Sequence, residues 1–276
     1  MREFLLTDAD FATISARVYK ACGIVLGPHK KEMVHSRLAR RIRANNLDSF
    51  GAYLRYLDEH ESTEFSHFIN AITTNLTSFF RENHHFEFLA QQAVPEIMAR
   101  HKHDRRVRIW SAGCSTGEEP YSIAMTIANA FPNGWDVKIL ATDLDSNVLT
   151  KASAGEYTAQ NVTGLDDEVK HKWFLKSADG NLYKTKPKLQ SLVHFKRLNL
   201  LEPWPMKGPF DVIFCRNVLI YFDKETKDKL FRNYHKMLVP DGYLLIGHSE
   251  TMGKEHFEFR NLGKTIYQKG PLNERV

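Results

Sequence analysis

The 276-residue sequence predicts an α/β protein in which an all-helical segment precedes a doubly wound, largely parallel sheet. Two patterns carry this. Before about residue 90 only helical periodicity is present, whereas from Val107 onward short apolar runs alternate with amphipathic stretches. In addition, the small-residue turn Ser111-Ala112-Gly113-Cys114-Ser115-Thr116-Gly117 joins the first apolar run to the next helix. Open α/β sheets build their ligand-binding turn at that place.

The helical segment reads in order. Thr7-Asp8-Ala9-Asp10 offers caps for a helix with Phe11, Ile14 and Val18 on one side. Gly27-Pro28 breaks the chain and starts a second helix that runs to about Asn45. Ser49 to Glu59 and Ser62 to Thr73 give two more, and Asn83 to Arg100 a longer one. Strands follow at Val107–Ser111, Lys138–Thr142, Val193–Leu198, Val212–Cys215 and Tyr243–Gly247. Helices fall between them at Glu118–Phe131, Asn147–Ala154 and Lys224–Leu238, and Phe257–Phe259 with Thr265–Gln268 suggests an antiparallel edge. Lys172–Lys176, Leu182–Lys186 and Leu189–Leu192, with the hairpin signal Asp179-Gly180, predict a small antiparallel subdomain inserted at about 170–192. The expected division is therefore 1–90 and 91–276.

Composition narrows the class. A hydrophobic content of 42% and a charged content of 26% are ordinary for a globular protein. No apolar run approaches the roughly 18 residues of a membrane span, and Met1-Arg2-Glu3-Phe4 lacks a signal-peptide h-region. Cys22, Cys114 and Cys215 are scattered and odd in number, so they read as reduced thiols of a cytoplasmic protein. No metal motif is present, because His84 and His85 are adjacent and no paired Cys-x-x-Cys exists. A Gly-x-Ser-x-Gly elbow is absent too. Nothing demands more than a monomer.

The turn after the first strand carries two glycines and then two carboxylates, Glu118 and Glu119. A phosphate site would want bare backbone N–H groups and no acid. Acids favour a ligand with a cationic head, which points to S-adenosylmethionine. Gly113 and Gly117 let the backbone approach that ligand, and either Glu118 or Glu119 could take its ammonium. The same acids also suit an ordinary capped helix start. Asp143, ending the second strand, reads as a ribose acceptor, with Asp145 as the cap of the next helix. Arg216 and Asn217 end a buried strand where a reacting centre would lie. Asn75-Leu76-Thr77-Ser78-Phe79-Phe80-Arg81-Glu82 reads as a lid, or as a loop with core phenylalanines. The second helix is basic. Val34, Leu38 and Ile42 form its buried stripe, while Arg37, Arg40 and Arg43, with Arg41, make an exposed patch for an acidic partner.

Together, Thr73-Thr74-Asn75-Leu76-Thr77-Ser78-Phe79-Phe80-Arg81-Glu82, Ser115-Thr116-Gly117-Glu118-Glu119-Pro120-Tyr121-Ser122, Asp143-Leu144-Asp145, Phe214-Cys215-Arg216-Asn217-Val218-Leu219-Ile220-Tyr221-Phe222, Pro240-Asp241-Gly242 and Gly247-His248-Ser249-Glu250 closely resemble the CheR family of chemotaxis receptor glutamate O-methyltransferases. The resemblance runs in order over essentially the whole chain. It implies a class I S-adenosylmethionine-dependent methyltransferase domain (Rossmann-like), a helical N-terminal domain and an inserted β-subdomain. It implies cofactor contacts at Asn75, Thr77, Arg81, Gly113, Glu118, Asp143, Asn199, Leu200, Arg216 and Asn217, with S-adenosylhomocysteine as product. Arg81 and Tyr221 are the residues expected to orient a carboxylate. The implied substrate is the cytoplasmic helical bundle of a chemoreceptor, docked by Arg37, Arg40, Arg41 and Arg43. Some family members also grip a receptor tether peptide. Here the hairpin Ser177-Ala178-Asp179-Gly180-Asn181 is short and lacks the longer glycine-rich loop, so tether-independent action is expected. Two other readings are a non-catalytic S-adenosylmethionine-binding adaptor and a nucleic-acid methyltransferase. The latter is disfavoured because the loop after Cys215 is not of the Asn-Pro-Pro-Tyr type that holds a flipped base, and no nucleic-acid partner is expected.

Overall fold

The computed structural model describes residues 3–128, 130–253 and 258–270, so Phe257 of the expected edge strand lies outside the described residues. The chain forms two compact units. One comprises Met1–Thr74 with Tyr221–Thr226, and the other Asn75–Ile220 with Lys227–Val276. The division falls at residues 74 and 75, ahead of the expected boundary near 90.

In the first unit, α1 (Asp8–Cys22) starts at a reciprocal capping box between Thr7 and Asp10 and ends at Gly23, whose φ of 69° suits glycine. After the short turn Pro28–Lys30 come α2 (Lys31–Ala44), α3 (Phe50–Glu59) and α4 (Glu61–Ile72). Val34, Leu38 and Ile42 are fully buried, as the spacing predicts. The arginines of α2 do not form one exposed patch. Arg37 is half-buried, and its guanidinium donates to the carbonyls of Ile72 at 2.7 Å and Thr73 at 2.6 Å and to Thr74 Oγ1 at 3.2 Å, closing the C-terminal end of α4. Arg41 makes a bidentate pair with the buried Glu64 at 2.9 and 2.6 Å, and Tyr53 Oη donates to the same carboxylate at 2.7 Å. Arg40 and Arg43 are exposed, Arg43 lying 3.4 Å from Glu3.

The second unit opens with a helix in three pieces. α5 (His84–Phe88) passes through a π turn (Leu89–Ala93) into α6 (Val94–Arg100). Pro95 explains the wide turn, since it lacks an N–H and its ring displaces the carbonyl one turn earlier. The sheet strands are β1 (Arg106–Ala112), β2 (Asp136–Asp143), β6 (Val193–Arg197), β7 (Phe210–Cys215), β8 (Leu238–Ile246), β9 (Phe259–Gly263) and β10 (Ile266–Lys269). They lie in the order β6-β2-β1-β7-β8-β10-β9, parallel from β6 to β8, with β10 antiparallel to β8 and β9 antiparallel to β10. The chain reverses its direction of winding between β1 and β7, which is where such sheets bind ligands. β7 is buried along its whole length, as a central parallel strand should be. The helices α7 (Glu118–Ile127), α8 (Ser146–Ala154) and α11 (Lys224–Met237) fill the crossovers.

The inserted sheet is real but built differently from its prediction. β3 (Glu156–Thr158), β4 (Phe174–Lys176) and β5 (Leu182–Thr185) lie in the order β3-β5-β4, all antiparallel, with α9 (Asp167–Trp173) before β4. The subdomain therefore begins at Glu156, not near 170. Leu189–Leu192 is not a strand, because Pro187 sits at the first position of the helical turn α10 (Pro187–Gln190). The strand in its place, β3, is too short for an alternating pattern to register.

Arg41→Ala is expected to destabilise the first unit by about 3 kcal/mol, because it leaves Glu64 buried without its cation; urea unfolding checks this. Burial pushes the Glu64 carboxyl up, but Arg41 and Tyr53 outweigh it and hold it below the ordinary value. The contribution of Glu64 is thus present above the unfolded-state pKa and lost as pH falls through the lowered one.

Candidate active site

Five segments of the second unit converge on the carboxyl edge of its large sheet. The first is the turn after β1. Gly113 has a φ of 107°, and a Cβ there would lie 2.3 Å from Val218 Cγ2. Its N–H and that of Cys114 donate to Thr142 O at 2.8 and 2.9 Å, which ties the turn to β2. The turn leads into α7, whose first residues are the two acids.

These acids have different fates. Glu119 Oε1 accepts from Ser111 Oγ at 2.7 Å, and its Oε2 lies 3.2 Å from Arg216 Nη1. It is therefore committed to the interior. Glu118 is equally buried, yet its side chain meets no cation among the described residues and accepts from Thr116 Oγ1 at 2.6 Å. Burial pushes its carboxyl above the ordinary value, against the Thr116 bond and its own backbone N–H. A buried carboxylate in that condition favours its neutral form unless a cation pairs with it.

The second segment is the end of β2. Asp143 accepts from Ser115 N at 2.8 Å through Oδ2 and from Asp145 N at 3.0 Å through Oδ1. Burial raises its carboxyl, and these backbone donors oppose the rise. Asp145 caps α8 by accepting from Asn147 N at 2.8 Å, and its other oxygen accepts from Asn75 Nδ2 at 2.8 Å. Asn75 is thereby brought to this edge, and Ser115 Oγ donates to its carbonyl at 2.9 Å. Thr77 and Arg81 are half-buried in the same segment, where Arg81 Nη1 donates to Leu76 O at 2.9 Å. Phe79 is a core residue, set edge-on to Tyr157 and Phe174. Phe80 lies edge-on to Phe86.

The third segment is the exit of β6. Leu198 N donates to Asp143 O at 3.0 Å, which sets Asn199 and Leu200 beside the end of β2. Asn199 Oδ1 accepts from Leu201 N at 3.1 Å and fixes that turn.

The fourth is the exit of β7, which carries Arg216. Its side chain is 2% exposed and lies 3.2 Å from both Glu82 and Glu119. It also donates to Arg81 O and stands 5.6 Å from the centre of the Phe86 ring. Its two terminal nitrogens are directed at protein groups, while the buried Nε has no hydrogen-bond partner among the described residues. Asn217, at a φ of 59°, donates from Nδ2 to Glu82 Oε1 at 3.3 Å. Its N–H donates to Glu250 Oε2 at 3.0 Å.

The fifth is the exit of β8. Glu250 also accepts from Gly247 N at 2.6 Å and Ile220 N at 3.1 Å, so one buried carboxylate staples the β7 and β8 loops. Tyr221 belongs to the other unit, where Val25 N donates to its carbonyl at 2.9 Å.

Sequence reasoning passed over Glu82, Ser115 and Glu250. Each stood inside a motif, but an acid's partners are set by folding. Burial raises the Glu82 carboxyl, while His248, Arg216 and Asn217 together pull it down to about 2. Glu82, His84 and His85 bring candidate metal-ligand atoms within 4.8 Å of one another. The neighbouring Arg216 guanidinium disfavours a second cation there.

A doubly wound sheet with acids at the ends of β1 and β2, and with strand order reversing between β1 and β7, defines the S-adenosylmethionine-dependent methyltransferases of class I. Residues 75–268 match the CheR methyltransferase SAM-binding domain, and residues 9–73 match the CheR methyltransferase all-alpha domain. The chain belongs to the CheR methyltransferase family. It is 45% identical over 269 residues to a chemotaxis protein methyltransferase of Salmonella typhimurium, covering 95% of this chain and 90% of that protein. A chemotaxis protein methyltransferase of Escherichia coli is 42% identical over 269 residues, with 95% and 91% covered. The residues fit the cofactor, since Glu118 is a buried acid lacking a cation and the Gly113 turn leaves no room for a side chain.

Gly113→Ala is expected to cost about 2–4 kcal/mol, from positive φ and overpacking together. Adding Val218→Ala should recover the overpacking part; thermal unfolding of the single and double variants checks this. Asp143→Ala should weaken S-adenosylmethionine binding about tenfold or more in calorimetry.

Proposed function

We propose that this protein transfers the methyl group of S-adenosylmethionine to glutamate side-chain carboxylates on the cytoplasmic helical bundle of chemoreceptors, forming methyl esters and S-adenosylhomocysteine. The single observation that carries the reading is Glu118, a buried acid at the head of α7 whose side-chain partner is a hydroxyl. The similar chemotaxis protein methyltransferases of Salmonella typhimurium and Escherichia coli support the chemotaxis setting.

The bound cofactor supplies an electrophilic methyl group on a sulfonium. Glu118 takes its ammonium, and Asp143 accepts from the ribose hydroxyls. Asn199 and Leu200 flank the adenine. Asn75, Thr77 and Arg81 close the junction segment over it, and Asn217 lines the floor. Arg216 holds that floor and the junction segment in register through Glu82 and Glu119. A glutamate has a pKa near 4.3, so the acceptor is already a nucleophile at neutral pH and needs no base. The site has to orient the carboxylate and exclude water, so that opposite charges are neutralised in a low dielectric. Arg81 and Tyr221 are the groups for orienting it.

The first unit docks on the receptor through α2. Arg40 and Arg43 are its exposed cations, whereas Arg37 and Arg41 are engaged within the unit. The protein acts as a monomer in the cytoplasm, independently of a tether peptide. No helix among the described residues is long and apolar enough to cross a membrane.

The decisive experiment is base-labile methyl-ester formation on receptor-bearing membranes supplied with methyl-labelled S-adenosylmethionine. No incorporation would overturn the proposal. Cofactor affinity should fall as pH drops through the raised Glu118 pKa, because an ammonium is bound by the ionised form. Glu118→Gln should weaken binding and flatten that dependence in calorimetry. Arg40→Glu with Arg43→Glu should reduce receptor methylation severalfold at low salt and leave cofactor affinity unchanged.

A further inference from the structure

At the exit of β8 an acid, an imidazole and a hydroxyl stand in line. Glu82 Oε1 lies 2.8 Å from His248 Nδ1, and His248 Nε2 lies 3.0 Å from Ser249 Oγ. The backbone N–H of His248 also donates to Glu82 Oε2 at 3.1 Å, so this residue is held to Glu82 twice. Glu82 is in turn fixed by Arg216 and Asn217. The His248 side chain is nevertheless 66% exposed, and Ser249 is exposed beside it. An exposed histidine fixed this firmly at one nitrogen presents the other in a set direction.

Charge decides which nitrogen is available. Glu82 is an anion, so a proton of His248 sits on Nδ1 and points at Glu82. Nε2 is left facing Ser249. The sheet order β2-β1-β7-β8 puts the acids suited to a cationic cofactor, Glu118 and Asp143, at the ends of β1 and β2. His248 lies on the opposite flank, beyond Asn217. An acceptor carboxylate is repelled by the first flank and meets donors on the second. Arg216 is already paired with Glu82 and Glu119, so a further carboxylate on this flank requires a cation-capable group of its own.

From this geometry we infer that His248, in its imidazolium form, is a substrate-binding residue of the methyl transfer, donating from Nδ1 to Glu82 and from Nε2 to the carboxylate of the target glutamate, with Ser249 Oγ as a second donor. This rests on the glutamate-methylating function proposed above. His248 carries no role in holding the methyl donor. No bond to His248 is made or broken. The proton on Nε2 stays on the ring while the glutamate oxygen gains the methyl group.

Two conservative replacements separate this role from a structural one. In His248→Gln the side-chain amide reaches the position of Nε2, and in His248→Asn that of Nδ1. Methyl-ester formation on receptor-bearing membranes, with cofactor affinity followed by calorimetry, is measured for the wild-type protein and both variants. The expected result is a kcat/KM for receptor that falls about 10- to 100-fold in His248→Asn and substantially less in His248→Gln, with unchanged cofactor affinity in both. If His248→Asn retains as much activity as His248→Gln, or if the loss follows a loss of cofactor affinity, the residue only braces Glu82 and the inference is overturned. Wild-type activity in both variants overturns it as well. A wild-type protein that forms no ester overturns the functional proposal itself, and the inference with it.

Discussion

The buried guanidinium of Arg216 is the constraint on which the rest of the site depends. A cation taken out of water must be matched by anions and hydrogen bonds, or its desolvation is left uncompensated. Here the match comes from two separate pieces of chain: the Arg81 carbonyl, Glu82 and the face of Phe86, in and just ahead of α5, and Glu119 at the head of α7. Satisfying one charge therefore fixes the junction segment, the first turn of α7 and the exit of β7 together. Glu250 extends the same logic to β8 with a single buried carboxylate that accepts three backbone N–H groups.

This arrangement sorts the acids of the site. Glu82 and Glu119 are matched by Arg216, and Asp143, Asp145 and Glu250 accept from backbone or amide N–H groups. Glu118 meets a hydroxyl and sits at the positive end of a helix, in a place from which water has been excluded. Its neighbour in sequence has the same chemistry and a different use, because successive helical residues project some 100° apart. One acid turns to Arg216 and the other to Thr116.

The helical unit shows the same economy with the opposite sign. α2 carries several arginines, yet two of them are used at home. Arg37 satisfies carbonyls that the end of α4 leaves open, and Arg41 neutralises Glu64. What remains exposed is the narrower pair Arg40 and Arg43. A count of basic residues along a helix thus overstates its exposed charge whenever neighbouring helices end against it.

The sequence alone determined the order of elements, the parallel sheet, the Gly113 turn and the cap that Asp145 supplies to α8. These follow from local rules of periodicity, capping and turn chemistry, which act over a few residues and are written in them. The sequence also marked Glu118 and Glu119 as a pair, and family resemblance preferred the first. Tertiary structure decided what depends on partners far along the chain. It paired Arg216 with Glu82 and Glu119, withdrew Arg37 and Arg41 from the expected exposed patch, and added Glu82, Ser115 and Glu250 to the candidate site. It replaced the expected strand at Leu189–Leu192 with β3, whose pairing with β5 a three-residue segment cannot announce. The physical reason is common to all of these. A charged side chain or a short strand has no fixed role until folding brings its partner within a few ångströms, and that partner lies tens of residues away.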